Sequence, residues 1–194
     1  ALVLLHPPTY GERACRHSRT RCSSPLSAPA GSDRTATSDI AAGRPETATK
    51  VLAFIEENHS LSQMKSEMAY TFSLARQFGY ATGYTAIRHP SLPNYIAIAG
   101  GQTYGTTDDH PPSANGVRGT SVFGQAVAAG NTAAVYVDGM TQNCATSNGG
   151  SQYAGKHNPW AYFIDERDIC QRYDVPAGQL GAAITAGALP NVGM

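Results

Sequence analysis

Large apolar residues are almost absent between Gly11 and Lys50 and then return in clusters with recognisable periods. Val51-Leu52-Ala53-Phe54-Ile55 is an unbroken apolar run that ends abruptly at Glu56-Glu57-Asn58-His59-Ser60. It predicts a strand buried on both faces that delivers the chain into a polar loop. Met64, Met68, Phe72 and Ala75 recur at helical spacing up to Gly79, which predicts a helix with these side chains in the core. Tyr80 to Ile87 reads as a second extended segment leading into His89-Pro90-Ser91-Leu92-Pro93-Asn94-Tyr95 and the apolar helix text IAIAG. Ser91 suits the N-cap of that helix, with Pro93 in its first turn. Gly101 to Gly119 reads as a polar loop, and Thr120 as the cap of a helix that runs through Ala129 and stops at Gly130. A strand over Ala133 to Val137, a long Gly, Ser and Asn loop carrying Cys144, a short aromatic segment after Lys156-His157-Asn158-Pro159-Trp160, and a last helix over Gln179 to Ala186 complete the pattern. Strands alternating with helices predict an α/β sandwich.

Composition divides the chain where the pattern does. Residues 1–50 hold seven Lys and Arg against four acids, a balance of +3, while the remainder holds seven against ten, or −3. Of the 16 Phe, Tyr and Trp only Tyr10 lies in the first fifty, so the core belongs to the later part. Residues 1–49 are therefore expected to be a disordered, low-complexity segment and 50–194 the folded one. The overall charge of zero leaves no nucleic-acid footprint, and no apolar run approaches a membrane span. ALVLLHPP lacks a basic n-region and is too short for the h-region of a signal peptide.

The four cysteines fall as Cys15 with Cys22 and Cys144 with Cys170, neither pair in the CxxC spacing of a structural zinc site. For Cys144 and Cys170 a disulfide is the better reading, and two buried thiols are the alternative. The pairing of Cys15 and Cys22 is undecided.

Two clusters carry chemistry, each at the end of an expected strand. Glu57 and Asn58 supply a carboxylate and an amide carbonyl, hard oxygen donors that suit a divalent cation. A serine at a helix N-terminus, as Ser91 is expected to be, has backbone N–H groups and the helix dipole aimed at any phosphate it attacks. Together they describe metal-assisted phosphoryl transfer through a serine nucleophile. A plain N-cap accounts for Ser91 equally well on spacing alone. Asp108 and Asp109 read as a solvated turn, and His59 and His89 as structural or supporting residues.

The motifs Glu56-Glu57-Asn58-His59-Ser60, His89-Pro90-Ser91-Leu92-Pro93-Asn94-Tyr95, and Tyr153 with Lys156-His157-Asn158-Pro159-Trp160-Ala161-Tyr162-Phe163, in this order, resemble the phosphoesterase family of bacterial secreted acid phosphatases and phospholipases C. That family is related to alkaline phosphatases, and the resemblance covers about Lys50 to Met194. It implies an alkaline phosphatase-like three-layer α/β/α sandwich, a divalent metal cofactor bound through Glu57 and Asn58, and Ser91 as a nucleophile that becomes a phosphoserine. It further implies that Lys156 binds phosphate oxygens and that His157 binds them or protonates the leaving group. Asn94 is expected to hold the loop after Ser91 through local hydrogen bonds, with a substrate contact as the alternative. Paired cysteines bracket the corresponding motif in relatives, which strengthens the Cys144–Cys170 disulfide.

The resemblance also implies an acidic pair and a histidine well downstream of KHNPW, where this sequence has already stopped. The terminal GALPNVGM resembles the lead into a central strand. The expectation is an apparently C-terminally truncated domain, with family-type activity in an intact version and weak or no activity here. The reading is a metal-dependent, acid phosphatase-like phosphomonoesterase acting on a phosphate ester; a phospholipase C-type phosphodiesterase and a non-catalytic relative are the alternatives. Nucleic acid and integral membrane association are excluded as partners, a monomer is expected, and the family implies a secreted or periplasmic location.

Overall fold

A computed structural model describes residues 2–3, 48–149 and 152–194. The chain divides into two units, Ala1–Pro7 with Ala48–Met194, and Pro8–Thr47. The second lies outside the described residues, as do the expected disorder of the N-terminal segment and the pairing of Cys15 and Cys22.

The centre of the first unit is a parallel sheet of four strands in the order β2 (Val51–Leu52), β6 (Val192–Gly193), β4 (Ala133–Val137), β5 (Asp174–Pro176). The α/β class expected from the pattern is the one the chain adopts. β4 has the bounds its apolar text predicts, and the terminal GALPNVGM does supply an inner strand, since β6 pairs with β2 on one side and β4 on the other. β1 (Leu2–Val3) and β3 (Phe54–Ile55) form a separate antiparallel pair.

The run from Val51 to Ile55 is not buried on both faces. β2 is an edge strand, and Val51 and Phe54 are 46% and 47% exposed. The unbroken apolar text resembles an inner parallel strand, but among the described residues its β2 part is paired on one side alone. The expected helix between Met64 and Ala75 divides at Met68 into α1 (Leu61–Glu67) and α2 (Ala69–Phe78), because Met68 leaves helical geometry at ψ 65°. Ser60 closes a capping box with Gln63 at the start of α1. Gly79 ends α2 at φ 111°, a conformation that favours glycine. Tyr80 to Ile87 is irregular and exposed instead of extended, with Tyr84 and Ile87 at 61% and 70%.

α3 (Leu92–Gly100) buries Leu92, Ile96 and Ala99, three residues at helical spacing, and stops at left-handed Gly101. The loop that follows contains one helical turn, α4 (Pro112–Asn115). α5 (Val122–Ala128) is capped by Ser121, whose hydroxyl accepts the Gly124 N–H, so the cap lies one residue beyond the expected Thr120. α3 and α5 pack with Val135 of β4 and the fully buried segment from Trp160 to Phe163 to form the main core. Short 3₁₀ turns carry the chain through Gly155–His157, Pro159–Tyr162 and Ile164–Glu166 into α6 (Arg167–Tyr173). α7 (Leu180–Thr185) is the last helix expected from the pattern. Cys144 and Cys170 form the disulfide, tying the loop after β4 to α6.

One half-buried polar knot ties these pieces together. The Glu166 carboxylate accepts the Ser121 N–H at 2.8 Å, the Ser121 hydroxyl at 2.6 Å and the Trp160 indole N–H at 2.9 Å. Gly124 makes the approach feasible, since a Cβ there would clash with the Glu166 carboxylate.

Candidate active site

Glu57 follows β3 by two residues, at the carboxyl end of the β2–β3 run, and Ser91 stands just before the first turn of α3. Ligands gather beyond the carboxyl ends of strands in open α/β sheets. Ser91 occupies the cap position but does not cap: its φ and ψ are −66° and −48°, and its side chain bonds no helix N–H. Its hydroxyl instead donates to Glu57 Oε1 at 2.9 Å.

The other oxygen of Glu57 is shared. Tyr95 donates its phenol to Oε2 at 2.9 Å, and His157 Nε2 lies 2.6 Å from the same atom. The Tyr95 and His157 rings stack with centroids 5.0 Å apart. Burial, reinforced by the hydrogen bond to Glu57, pushes the Tyr95 phenol far above its ordinary range, so it remains a donor. Burial pushes the His157 imidazole below its ordinary value; Glu57 opposes this and the Lys156 ammonium adds to it.

Asp109 and Lys156 close the arrangement. Asp109 Oδ1 accepts the Leu92 N–H at 2.9 Å, and Oδ2 pairs with Lys156 Nζ at 2.7 Å. The expected solvated turn is therefore corrected for Asp109, whose side chain is only a quarter exposed. Burial opposes the ionised Asp109, but the Lys156 bond and the Leu92 N–H outweigh it and hold the carboxyl below its ordinary value. Asp108 serves the loop itself, accepting the His110 N–H at 3.0 Å and the Asn115 amide at 2.6 Å.

Asn94 bonds locally, as expected, although to the loop before Ser91 and not after it. Its Oδ1 accepts the Ile87 and Arg88 N–H groups, and its Nδ2 donates to the Arg88, Pro90 and Ser91 carbonyls. The structure thus joins Ser91, Glu57, His157 and Lys156 in one site, with Asn94 shaping its rim. Sequence reasoning missed Asp109 and Tyr95. Tyr95 lies four residues after Ser91, on the same side of α3, and that spacing was a usable signal. Nothing local marks Asp109, which is 17 residues from its Leu92 partner.

A cavity of about 890 Å³ adjoins the site, lined by Glu57, Asn58, His59 and Ser91 among others. Glu57 and Asn58 both line it, Glu57 in contact with the Ser91 hydroxyl, and a carboxylate with an amide carbonyl is a donor chemistry that fits a hard divalent cation. Cys144, Cys170 and Asp174 also lie close together, but both sulfurs belong to the disulfide and offer no thiolate. Asp174 has a different duty. It is fully buried, accepts the Asn158 amide at 2.7 Å, and burial raises its carboxyl to about 7.

Among known proteins, the phosphoesterase family model matches residues 46–194, a span that contains the residues described above. The chain belongs to the phosphoesterase family. A relative within reach of alignment is the phosphatidylinositol-3-phosphatase of Mycobacterium tuberculosis (strain ATCC 25618 / H37Rv), 30% identical over 126 residues. That alignment takes in 64% of this chain and 42% of the relative, so this phosphoesterase chain spans under half of the relative's length. Among its described residues no helix is long and apolar enough to cross a membrane.

Proposed function

We propose that this family member is a phosphoric ester hydrolase, specifically a phosphomonoesterase that acts through Ser91. The observation that carries the reading is the Ser91 hydroxyl itself. It stands at the start of a nine-residue helix, is not spent on capping, and donates to a carboxylate at 2.9 Å. A serine so placed has a proton acceptor in contact and a positive helix end beside it.

In the first half-reaction Ser91 Oγ bonds to phosphorus and the ester P–O bond breaks. The serine proton passes to the Glu57–His157 pair, and the pair gives one proton to the departing alcohol. In the second half-reaction water adds to phosphorus, its proton enters the same pair, the Oγ–P bond breaks, and Ser91 regains its proton. Inorganic phosphate leaves. Lys156 binds the phosphoryl oxygens as a cation. Glu57 and Asn58 would hold a divalent cation, which when bound supplies charge neutralisation and lowers the pKa of the serine hydroxyl. The disulfide supports an oxidising compartment, in keeping with export.

The relative's name, a phosphatase, favours the monoester over the phospholipase C reading. Incubation with p-nitrophenyl phosphate and, separately, with phosphatidylcholine tests this. Hydrolysis of the monoester, abolished in Ser91→Ala, is the expected result; turnover of phosphatidylcholine alone would reverse the ranking.

A further inference from the structure

The contacts around Ser91 form a closed ring. Ser91 donates to Glu57, Glu57 meets His157, and Lys156 precedes His157 in the chain. Lys156 then pairs with Asp109, and Asp109 accepts the N–H of Leu92, the residue after Ser91. Asp109 is the one link in this ring that the proposed chemistry does not use. Its two carboxylate oxygens are divided, one to a backbone group at the start of the nucleophile's helix and one to the ammonium that would bind phosphate.

We propose that Asp109 is a positioning residue: it clamps Lys156 to the first turn of α3, so that the ammonium is held toward the phosphoryl group that Ser91 attacks. The inference rests on the phosphomonoesterase reading for the role of Lys156, but the clamp is a structural claim in its own right. Lysine carries a long, flexible stem, and an ammonium left untethered spreads over many rotamers. Asp109 is itself fixed from behind. Its neighbour Asp108 binds His110 N and the Asn115 amide, and the Tyr162 phenol donates to the His110 carbonyl at 3.2 Å. The loop that presents Asp109 is thereby fastened to the buried aromatic segment following KHNPW. The partial shelter of the pair, 36% exposure for Lys156 and 25% for Asp109, places it between a surface and a buried ion pair.

The test uses the whole chain, with Asp109→Asn, Asp109→Ala, Lys156→Met, the Asp109→Asn/Lys156→Met double variant and Ser91→Ala as the reference. Asp109→Asn keeps an acceptor for Leu92 and removes the charge that holds Lys156. It should raise KM for p-nitrophenyl phosphate and weaken inorganic phosphate binding by about three- to tenfold, with kcat changed less. Lys156→Met should lose at least as much, and the double variant no more than Lys156→Met alone. Hydrogen exchange at the Leu92 amide should accelerate in Asp109→Ala and stay slow in Asp109→Asn. Multiplicative losses in the double variant, or tighter phosphate binding in Asp109→Ala, would overturn the clamp. If Ser91→Ala retains the hydrolysis of the wild type, the phosphatase reading fails and the clamp is judged on the exchange data. Should the wild type neither bind phosphate nor hydrolyse the ester, the same holds, and Leu92 exchange together with coupled melting temperatures of Asp109→Ala and Lys156→Met decides it.

Discussion

Glu57 accepts two donors, Ser91 and Tyr95, and has the His157 imidazole against it, and its replacement should be felt by all three. Glu57→Gln keeps the shape but removes the charge; a loss of phosphomonoesterase activity on the order of a hundredfold or more is expected from steady-state rates. Asp174 makes a prediction about stability and pH. Its carboxyl is raised to about 7 by burial, with the Asn158 bond opposing, against an ordinary value of 3.8. Between those values the folded chain holds a proton that the unfolded chain has released, so this group's contribution falls as pH rises from about 4 to about 7 and is level above. The full span amounts to roughly 4 kcal/mol at most. In urea unfolding at a series of pH values, Asp174→Asn should flatten that slope and gain stability relative to the wild type at pH 8; parallel curves for the two proteins would refute the assignment. The sequence pattern pointed to Ser91 and Glu57, and the family resemblance added Lys156 and His157. It did not reach Asp109 or Asp174, whose partners are distant in the chain and whose own surroundings read as ordinary polar loop and helix end.

The elements were most legible where apolar period and stop signals agreed. β4 and α3 follow their text closely, since Val135, Leu92, Ile96 and Ala99 all face one core. Legibility failed where burial depends on what lies alongside: Val51 and Phe54 look like inner-strand residues and occupy an exposed edge. It failed also at Met68, where the period of Met64, Met68 and Phe72 continues across a break in the helix. Two predictions belong to this scale. Gly124→Ala would drive a methyl against the Glu166 carboxylate and expel it from Ser121 and Trp160. A loss of about 1–3 kcal/mol should appear as a lowered melting temperature. Removing the disulfide by paired Cys144→Ala and Cys170→Ala changes should cost about 3 kcal/mol in the chain-entropy account of a 26-residue separation.

For the molecule as a whole, the Glu57 loop and the start of α3 meet through the Ser91 and Tyr95 bonds to Glu57, while the segment after β4 returns Lys156 and His157 to them. The α/β class was legible because strands and helices alternate; the meeting of three separate motifs was legible only through their resemblance to a family. The proposed metal dependence belongs to the assembled site. Dialysis against a strong chelator should lower phosphomonoesterase activity and a divalent cation should restore it, with Glu57→Gln insensitive to both. The central claim, that Ser91 is the nucleophile, is tested most directly by mixing the protein with a phosphomonoester, quenching in acid within the first turnovers and mapping the peptides by mass spectrometry. Phosphoserine at Ser91, absent from Ser91→Ala, is the predicted result. Turnover with Ser91 unmodified and the phosphoryl group found on another side chain would contradict it.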